Sequence, residues 1–399
     1  MGYGYINMLS KNLTRETNLT LDIANGVIEN RKNPSIILED FNKTNLSALT
    51  QLIFYHELTP FAYIYFSHSS YILPKELMEF FKAWYYFTLF RNAYFQEEFF
   101  KLTEVFMREG VTILPIKGLA LLGDIYKRES VRTMVDMDIL VREEELEKAE
   151  GILIKHGYRK DLGKGSESYW KNKNCNIPFK KKERGWPLEL HFALDIKRAN
   201  RDLLPKLWER LRLIDFNKKK IKVLSPEDTL FSLALHQRRF GRRLCLKNTL
   251  DVALLINKYN NNFDWDYVLS EAKAGKMCST IFFALFQANI LLNIQIPRYV
   301  WKCLKVSFLK KELIRRLIKK DTFSMGCFKK IKYLHLKCHF LVYDSIWEPI
   351  RYLLGITQEE FAKFYNLPIY APETGKLYKA RFFYEPYRLF KDKLEKKSF

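Results

Sequence analysis

The sequence predicts an α+β protein in which a compact module of strands and helices lies between two helical regions. Apolar residues recur at three- and four-residue spacing over residues 1–110 and again over 223–399, as in amphipathic helices. Over 111–222, short β-branched and apolar runs alternate with helical runs, which is typical of a compact α/β module. We therefore predict three regions with these boundaries.

The first region contains three runs with helical spacing: LTLDIANGVIEN, LSALTQLIFYHEL and EFFKAWYYFTLFRNAYFQEEFFKLTEVFMREG. The many aromatic residues of the third run are most simply core packing, and a stripe that stacks nucleic-acid bases is the alternative. Gly110 should end this helix, because glycine readily takes the left-handed cap conformation.

The middle region alternates strands and helices. The predicted strands are VTILPIKG (111–118), MVDMDILV (134–141) and WPLELHFAL (186–194), and the predicted helices are LALLGDIY (119–126) and REEELEKAEGILIKHGY (142–158). The second helix is acidic at its start and closed by Gly157, an order that suits the helix dipole.

In the third region, Ser225 and Pro226 of SPED predict a helix N-cap and its first turn. The longest apolar run, 281–296, carries polar residues and is shorter than the ~18 residues that indicate a membrane span, so we expect a buried helix and no transmembrane segment. The basic, aromatic tail (375–399) should be a solvated helix. Contact with RNA or membrane phosphates is its alternative role.

The composition favours an anionic partner. The 399 residues include 67 Lys and Arg against 45 Asp and Glu, a net charge of +22. Nucleotides, RNA, phosphorylated sugars or an anionic membrane surface would match this charge, and solubility alone explains it equally well. Six scattered cysteines and the lack of a signal-peptide pattern predict a cytoplasmic protein, with peripheral membrane attachment as an alternative. In HLKCH (335–339) we expect ordinary helix residues, with zinc a distant alternative.

Two aspartates stand one residue apart in the run RTMVDMDILV. In a strand, Asp136 and Asp138 would point to the same face, where their carboxylates repel each other unless a cation lies between them. Magnesium is the natural candidate, because it prefers carboxylate oxygens. The run NNFDWDYVLSEA is a control with the same spacing, but there Asp264 and Asp266 fit a helix N-cap and a first-turn acid.

The sequence around Asp136 and Asp138 favours a catalytic role for this pair. Upstream, Lys117 and Gly118 stand where a strand enters a helix, and glycine at such a bend allows backbone amides to approach a phosphate. Downstream, LELHF places Glu189 and His191 on one face of a later strand. A third carboxylate would complete a site that clamps the oxygens of an in-line displacement.

This pattern, Lys-Gly, then Arg-x-x-x-Asp-x-Asp-Ile-Leu-Val, then acid-Leu-His, resembles the polymerase-β-type nucleotidyltransferase superfamily. Within it, the sequence is most similar to a bacterial group described as nucleotidyltransferase family protein, which often occurs with polysaccharide or natural-product biosynthesis. The resemblance covers residues 45–390, most specifically 113–141 and 186–194. It implies a polymerase-β-like core, a small mixed sheet with helices, embedded between the helical regions.

By this resemblance, Asp136 and Asp138 are ligands of Mg²⁺ or Mn²⁺. Glu189 is the third carboxylate, which binds a second metal or activates the acceptor. His191 either orients a carboxylate or satisfies a buried hydrogen bond.

The resemblance also implies a nucleotide site. Gly118 opens the phosphate-binding turn, and Lys117 and Arg132 hold the triphosphate or the acceptor. Leu119 follows Gly118, where the superfamily usually has Ser or Gly, so a serine contact to phosphate is missing.

The implied reaction moves a nucleoside monophosphate from an NTP to a hydroxyl or amine and releases pyrophosphate. A small molecule, a protein or RNA all fit as acceptor. A catalytically silent protein of the same fold, binding nucleotide, RNA or a biosynthetic partner, is the alternative. The run HQRRFGRR, with His236 and Arg239, forms either a solvated helix face or the lining of an acceptor cleft.

Overall fold

The computed structural model describes residues 14–29, 41–69, 71–126, 132–163, 166–181, 185–195, 203–239, 244–323, 340–354, 357–365, 367–368 and 371–380. A few side chains within these ranges, that of Arg239 among them, are not described. The HLKCH run and the tail after 380 lie outside the described residues, so the predictions made for them stay predictions.

Four helices form the first part of the chain: α1 Arg15–Ile28, α2 Leu46–Tyr55, α3 Thr59–Ser67 and α4 Lys75–Arg108. The three helical runs of the sequence are confirmed, and α3 is an additional helix. The side chains of Thr14 and Asn45 cap α1 and α2 by accepting backbone hydrogen bonds. Gly110 follows the end of α4 with φ +72°, as predicted.

Five short strands form one mixed sheet: β1 Leu114–Pro115, β2 Met137–Leu140, β3 Tyr158–Lys160, β4 Asn176–Lys181 and β5 Pro187–His191. Their order is β1-β2-β5-β4-β3, in which β2 and β5 are parallel and the other neighbours antiparallel. Three helices alternate with them: α5 Gly118–Asp124, α6 Leu146–Lys155 and α7 Glu167–Lys173. The small mixed sheet with helices is therefore confirmed. The strand predicted over 134–141 is shorter, so Asp136 lies just before β2.

A short helix, α8 Leu203–Glu209, leads to a separate hairpin of β6 Arg212–Phe216 and β7 Lys219–Val223. Asn217 and Lys218 between the strands both have positive φ, 46° and 65°, as a tight two-residue turn requires.

Helices then continue through the described residues: α9 Pro226–Arg239, α10 Leu246–Tyr259, α11 Trp265–Ala274, α12 Cys278–Leu292, α13 Arg298–Cys303, α14 Phe308–Asp321, α15 Trp347–Leu354, α16 Gln358–Tyr365 and α17 Pro372–Lys379. Both predicted caps are confirmed, because Ser225 Oγ accepts from Asp228 N at 3.1 Å and Asp264 Oδ1 accepts from Tyr267 N at 2.9 Å. Most of α12 is buried, as expected for the long apolar run.

One contiguous hydrophobic cluster joins buried residues of the first helices, the mixed sheet and the later helices, for example Leu19, Ile139 and Val252. The boundaries at 110 and 222 stay a prediction. No helix among the described residues has the length and apolar character needed to cross a bilayer.

Candidate active site

The acidic residues are brought together by the parallel pairing of β2 and β5. Asp138 stands in register with Glu189, so both carboxylates project from the same face of the sheet. His191, two residues after Glu189, shares that face. The alternation read from LELHF therefore predicts the arrangement in β5 correctly.

Lys117 and His191 both donate to one carboxylate oxygen of Asp138. Lys117 Nζ donates to Asp138 Oδ1 at 2.6 Å, and His191 Nε2 donates to the same oxygen at 2.8 Å and to Glu189 Oε2 at 3.1 Å. Because an ionised carboxylate only accepts hydrogen bonds, His191 Nε2 carries the proton. Lys117 Nζ lies 3.2 Å from Nε2, and these two donors share Asp138 Oδ1 as their acceptor. The side chains of Lys117 and Asp138 are each 8% exposed, and that of His191 is 0% exposed.

These contacts set the charge of each group. Burial raises the pKa of Asp138, but the charges of Lys117 and His191 and their hydrogen bonds outweigh it and hold the pKa well below its usual value. Burial and Lys117 lower the pKa of His191, but hydrogen bonds to Asp138, Cys175 and Glu189 raise it to about 10. At neutral pH the cluster thus contains a charged imidazole between two carboxylates.

Asp136 lies at the edge of this cluster. Its burial, and then the negative charges of Asp138 and Glu189, raise the pKa of Asp136 to about 7 against the opposing charges of Lys117 and His191. The carboxylates of Asp138 and Glu189 therefore repel that of Asp136. Such repulsion is expected where acidic side chains are grouped to attract a cation.

An unusual backbone conformation lies behind Lys117. The residue has φ 49° and ψ −120°, a left-handed region that non-glycine residues rarely adopt. It stands between β1 and α5, where Ile116 N donates to Asp138 O at 3.1 Å and Lys117 O accepts from Leu121 N at 2.9 Å. Strain of this kind is concentrated at functional sites, and the sequence had placed the special bend at Gly118 instead.

Gly118 is required by close packing. A Cβ at this position would lie 2.5 Å from Met134 Sδ and 2.8 Å from Arg132 Nη1. Glycine here lets α5 pack against the segment that leads into β2. Its predicted contact with phosphate stays a prediction.

Arg132 is engaged by a partner far along the chain. Its Nε and Nη2 donate to the two carboxylate oxygens of Asp251 at 2.9 and 2.8 Å, and Tyr126 Oη donates to Asp251 Oδ1 at 2.7 Å. The resemblance implied that Arg132 holds the triphosphate or the acceptor. The structure shows a bidentate buried ion pair that fastens the start of the 132–136 segment to α10.

The basic run on α9 is only partly described. His236 is half-buried on α9, and the side chain of Arg239 lies outside the described residues, so neither is placed against the acidic cluster. The interpretation of this run as a solvated face is wrong for Arg238, which is 2% exposed and forms a buried ion pair with Asp195.

Sequence reasoning missed Arg91, which is buried on α4 and attracted by the charge of Asp136. The signal was present, since Arg91 is a lone cation within the aromatic run YYFTLFRNAYF.

The donor set fits a divalent cation. Asp138, Glu189 and His191 each offer a ligand atom, and these atoms lie within 4.8 Å of one another. Clustered carboxylates suit Mg²⁺ or Mn²⁺, whereas His191 could ligate a cation through Nε2 only after losing the proton there. Lys117 and protonated His191 supply the positive charge in this structure.

Comparison with known proteins defines the class. The family described as uncharacterised nucleotidyltransferase matches residues 42–293, more than half of the chain, and this protein belongs to it. A solved structure of the lincosamide antibiotic adenylyltransferase LnuA, with lincomycin bound, is similar over 40% of this chain and 95% of its own, with 21% identity and a TM-score of 0.29. No curated protein matches the sequence.

Proposed function

We propose that this protein transfers a nucleoside monophosphate from an NTP to a hydroxyl or amine acceptor and releases pyrophosphate. Family membership supports nucleotidyl transfer in general. The observation that carries the proposal is the register of Asp138 and Glu189 on adjacent parallel strands, with Asp136 beside them. Asp138 and Glu189 on one face of two interior strands of a small mixed sheet, with Asp136 just before the first of them, match the polymerase-β-like core that the motif resembles.

In this proposal Asp136, Asp138 and Glu189 hold Mg²⁺ or Mn²⁺. A bound divalent ion would supply charge stabilisation for the phosphoryl oxygens and lower the barrier to displacement. His191 orients the carboxylates of Asp138 and Glu189 through its two hydrogen bonds. These contacts fix the carboxylate oxygens before substrate arrives, which reduces the reorganisation needed in the reaction.

Lys117 is the proposed phosphate contact. Its ammonium is held at the carboxylate cluster by Asp138, where it can also donate to a phosphate oxygen of a bound nucleotide. We assign Arg132 a positioning role, because its pair with Asp251 holds the segment that presents Asp136. The phosphate contact predicted for Gly118 and the acceptor contacts predicted for His236 and Arg239 are retained as proposals.

One observation favours the silent alternative. The positive charges of Lys117 and His191 already balance Asp138 and Glu189, so the cluster does not need a cation to fold. A protein of this fold that binds nucleotide, RNA or a biosynthetic partner without catalysis would show the same contacts. The acceptor, a cytoplasmic location and contact with RNA or an anionic membrane surface are further proposals that rest on the sequence.

Isothermal titration of each NTP with Mg²⁺ or Mn²⁺ tests the proposal. We expect metal-dependent binding by the wild type and its loss in Asp138→Asn. The matched control is Asp264→Asn, since this aspartate belongs to the other D-x-D pair and asparagine preserves its helix cap. Equal binding by wild type and Asp138→Asn, or no binding of any NTP, would reject the metal–nucleotide site.

A further inference from the structure

Two buried arginines flank the segment that carries Asp136, and they differ in their partners. Arg132 donates through Nε and Nη2 to Asp251. Arg91 is 7% exposed, and its Nε has no hydrogen-bond partner among the residues that the structure describes. The Arg132 guanidinium is therefore hydrogen-bonded to a carboxylate, whereas the Nε of Arg91 can still donate a hydrogen bond.

Neighbouring contacts place Arg91 beside this segment. Asn92 Nδ2, next to it on α4, donates to Arg132 O at 3.0 Å. On the same side, Thr133 Oγ1 donates to Glu57 Oε2 at 3.1 Å. The α4 helix thus packs along the chain just before β2, and Arg91 on this helix is close enough to be attracted by the charge of Asp136.

The surroundings of Arg91 only partly compensate its charge. One face of the guanidinium lies over the Phe87 ring, 5.0 Å from its centroid. Glu57 and Asp136 attract it by charge without a hydrogen bond, and burial lowers its pKa against that attraction. One turn earlier on α4, Thr88 Oγ1 is also buried without a partner among the described residues. Buried donors of this kind cost free energy until an acceptor reaches them.

We propose that Arg91 binds a phosphate oxyanion of the incoming nucleotide. The inference rests on the proposed function and names the guanidinium that this site uses. A planar guanidinium can donate two parallel hydrogen bonds to a phosphate. Lys117 contacts Asp138, and Arg91 is attracted by the charge of Asp136, so the two cations are associated with different carboxylates of the cluster.

The test compares variants of the full-length protein in titrations with inorganic tripolyphosphate and with the NTP that binds best, each with Mg²⁺. Arg91→Met should weaken both affinities by about 10- to 100-fold, the loss of one charged hydrogen-bond partner. Its melting temperature should stay the same or rise, since an unpaired buried charge is removed. Arg91→Lys should lose part of the affinity. The control is Arg108→Met at the exposed end of α4, which should bind both ligands as tightly as the wild type.

The outcomes separate this inference from the proposed function. If the wild type binds both ligands and Arg91→Met binds them equally well, Arg91 is structural and the inference fails while the function stands. If the wild type binds neither ligand, the proposed function fails. If Arg91→Met does not fold, Arg91→Lys decides, because wild-type affinity in that variant would overturn a role for the guanidinium fork.

Discussion

The buried pair of Arg132 and Asp251 should be a main support of the site. The Arg132 side chain is 7% exposed and that of Asp251 1%, and two hydrogen bonds of 2.9 and 2.8 Å join them. Burial lowers the pKa of Arg132, but Asp251 outweighs it and raises the pKa above its usual value. Arg132→Met leaves a buried carboxylate without its cation, so we expect a loss of about 3–5 kcal/mol in the free energy of unfolding.

Urea unfolding followed by tryptophan fluorescence would measure this loss in Arg132→Met, in Asp251→Leu and in the double variant. The double variant should lose much less than the sum, because no unpaired charge stays buried. Lys101→Met is the control, since Lys101 pairs with Glu97 on the surface of α4, where their side chains are 62% and 68% exposed. Its effect should be under about 0.5 kcal/mol. A loss below about 1 kcal/mol for Arg132→Met, or strict additivity in the double variant, would mean that the buried pair is not a main support of the site.

Two further predictions concern stability. Gly118→Ala should lower the melting temperature, because the new Cβ would be forced against Met134 Sδ. The control is Gly151→Ala within α6, where nothing lies within 4 Å of the new Cβ, and it should raise the free energy of unfolding by about 0.5–1 kcal/mol. Equal shifts in the two variants would contradict the packing role of Gly118. Burial raises the pKa of Asp124, but hydrogen bonds from Arg212, Lys258 and Tyr259 outweigh it and lower the pKa. Its ionised form therefore adds stability above the unfolded-state pKa, and this is lost as pH falls through the lower folded-state value. The difference in melting temperature between wild type and Asp124→Asn should therefore stay constant from pH 7 to about pH 4 and shrink at lower pH; a difference that does not shrink in more acidic buffer would contradict this.

Local patterns in the sequence predicted the parts that depend on neighbours along the chain. The caps at Ser225 and Asp264 follow from short-range hydrogen bonds. The shared face of Glu189 and His191 follows from the two-residue period of a strand. The mixed character of the sheet came from the resemblance, since periodicity alone does not give strand order.

The sequence could not supply contacts between distant segments. Arg132 and Asp251 are 119 residues apart, and several acids could have paired with this arginine. The left-handed conformation of Lys117 has no signal in a residue type that usually avoids it. Arg91 stands out in the sequence as a lone cation among aromatic residues, but only the fold brings it within reach of the charge of Asp136.

A crystal structure with Mn²⁺ and a non-hydrolysable NTP analogue would show whether the acidic cluster is a metal–nucleotide site. We expect an anomalous manganese peak bound by Asp138 and Glu189, with Asp136 turned toward it and phosphate oxygens within reach of Lys117. A nucleotide bound elsewhere on the chain, or a cluster in which Lys117 and His191 keep their contacts with Asp138 and no manganese enters, would rule out this site and favour a silent binding protein.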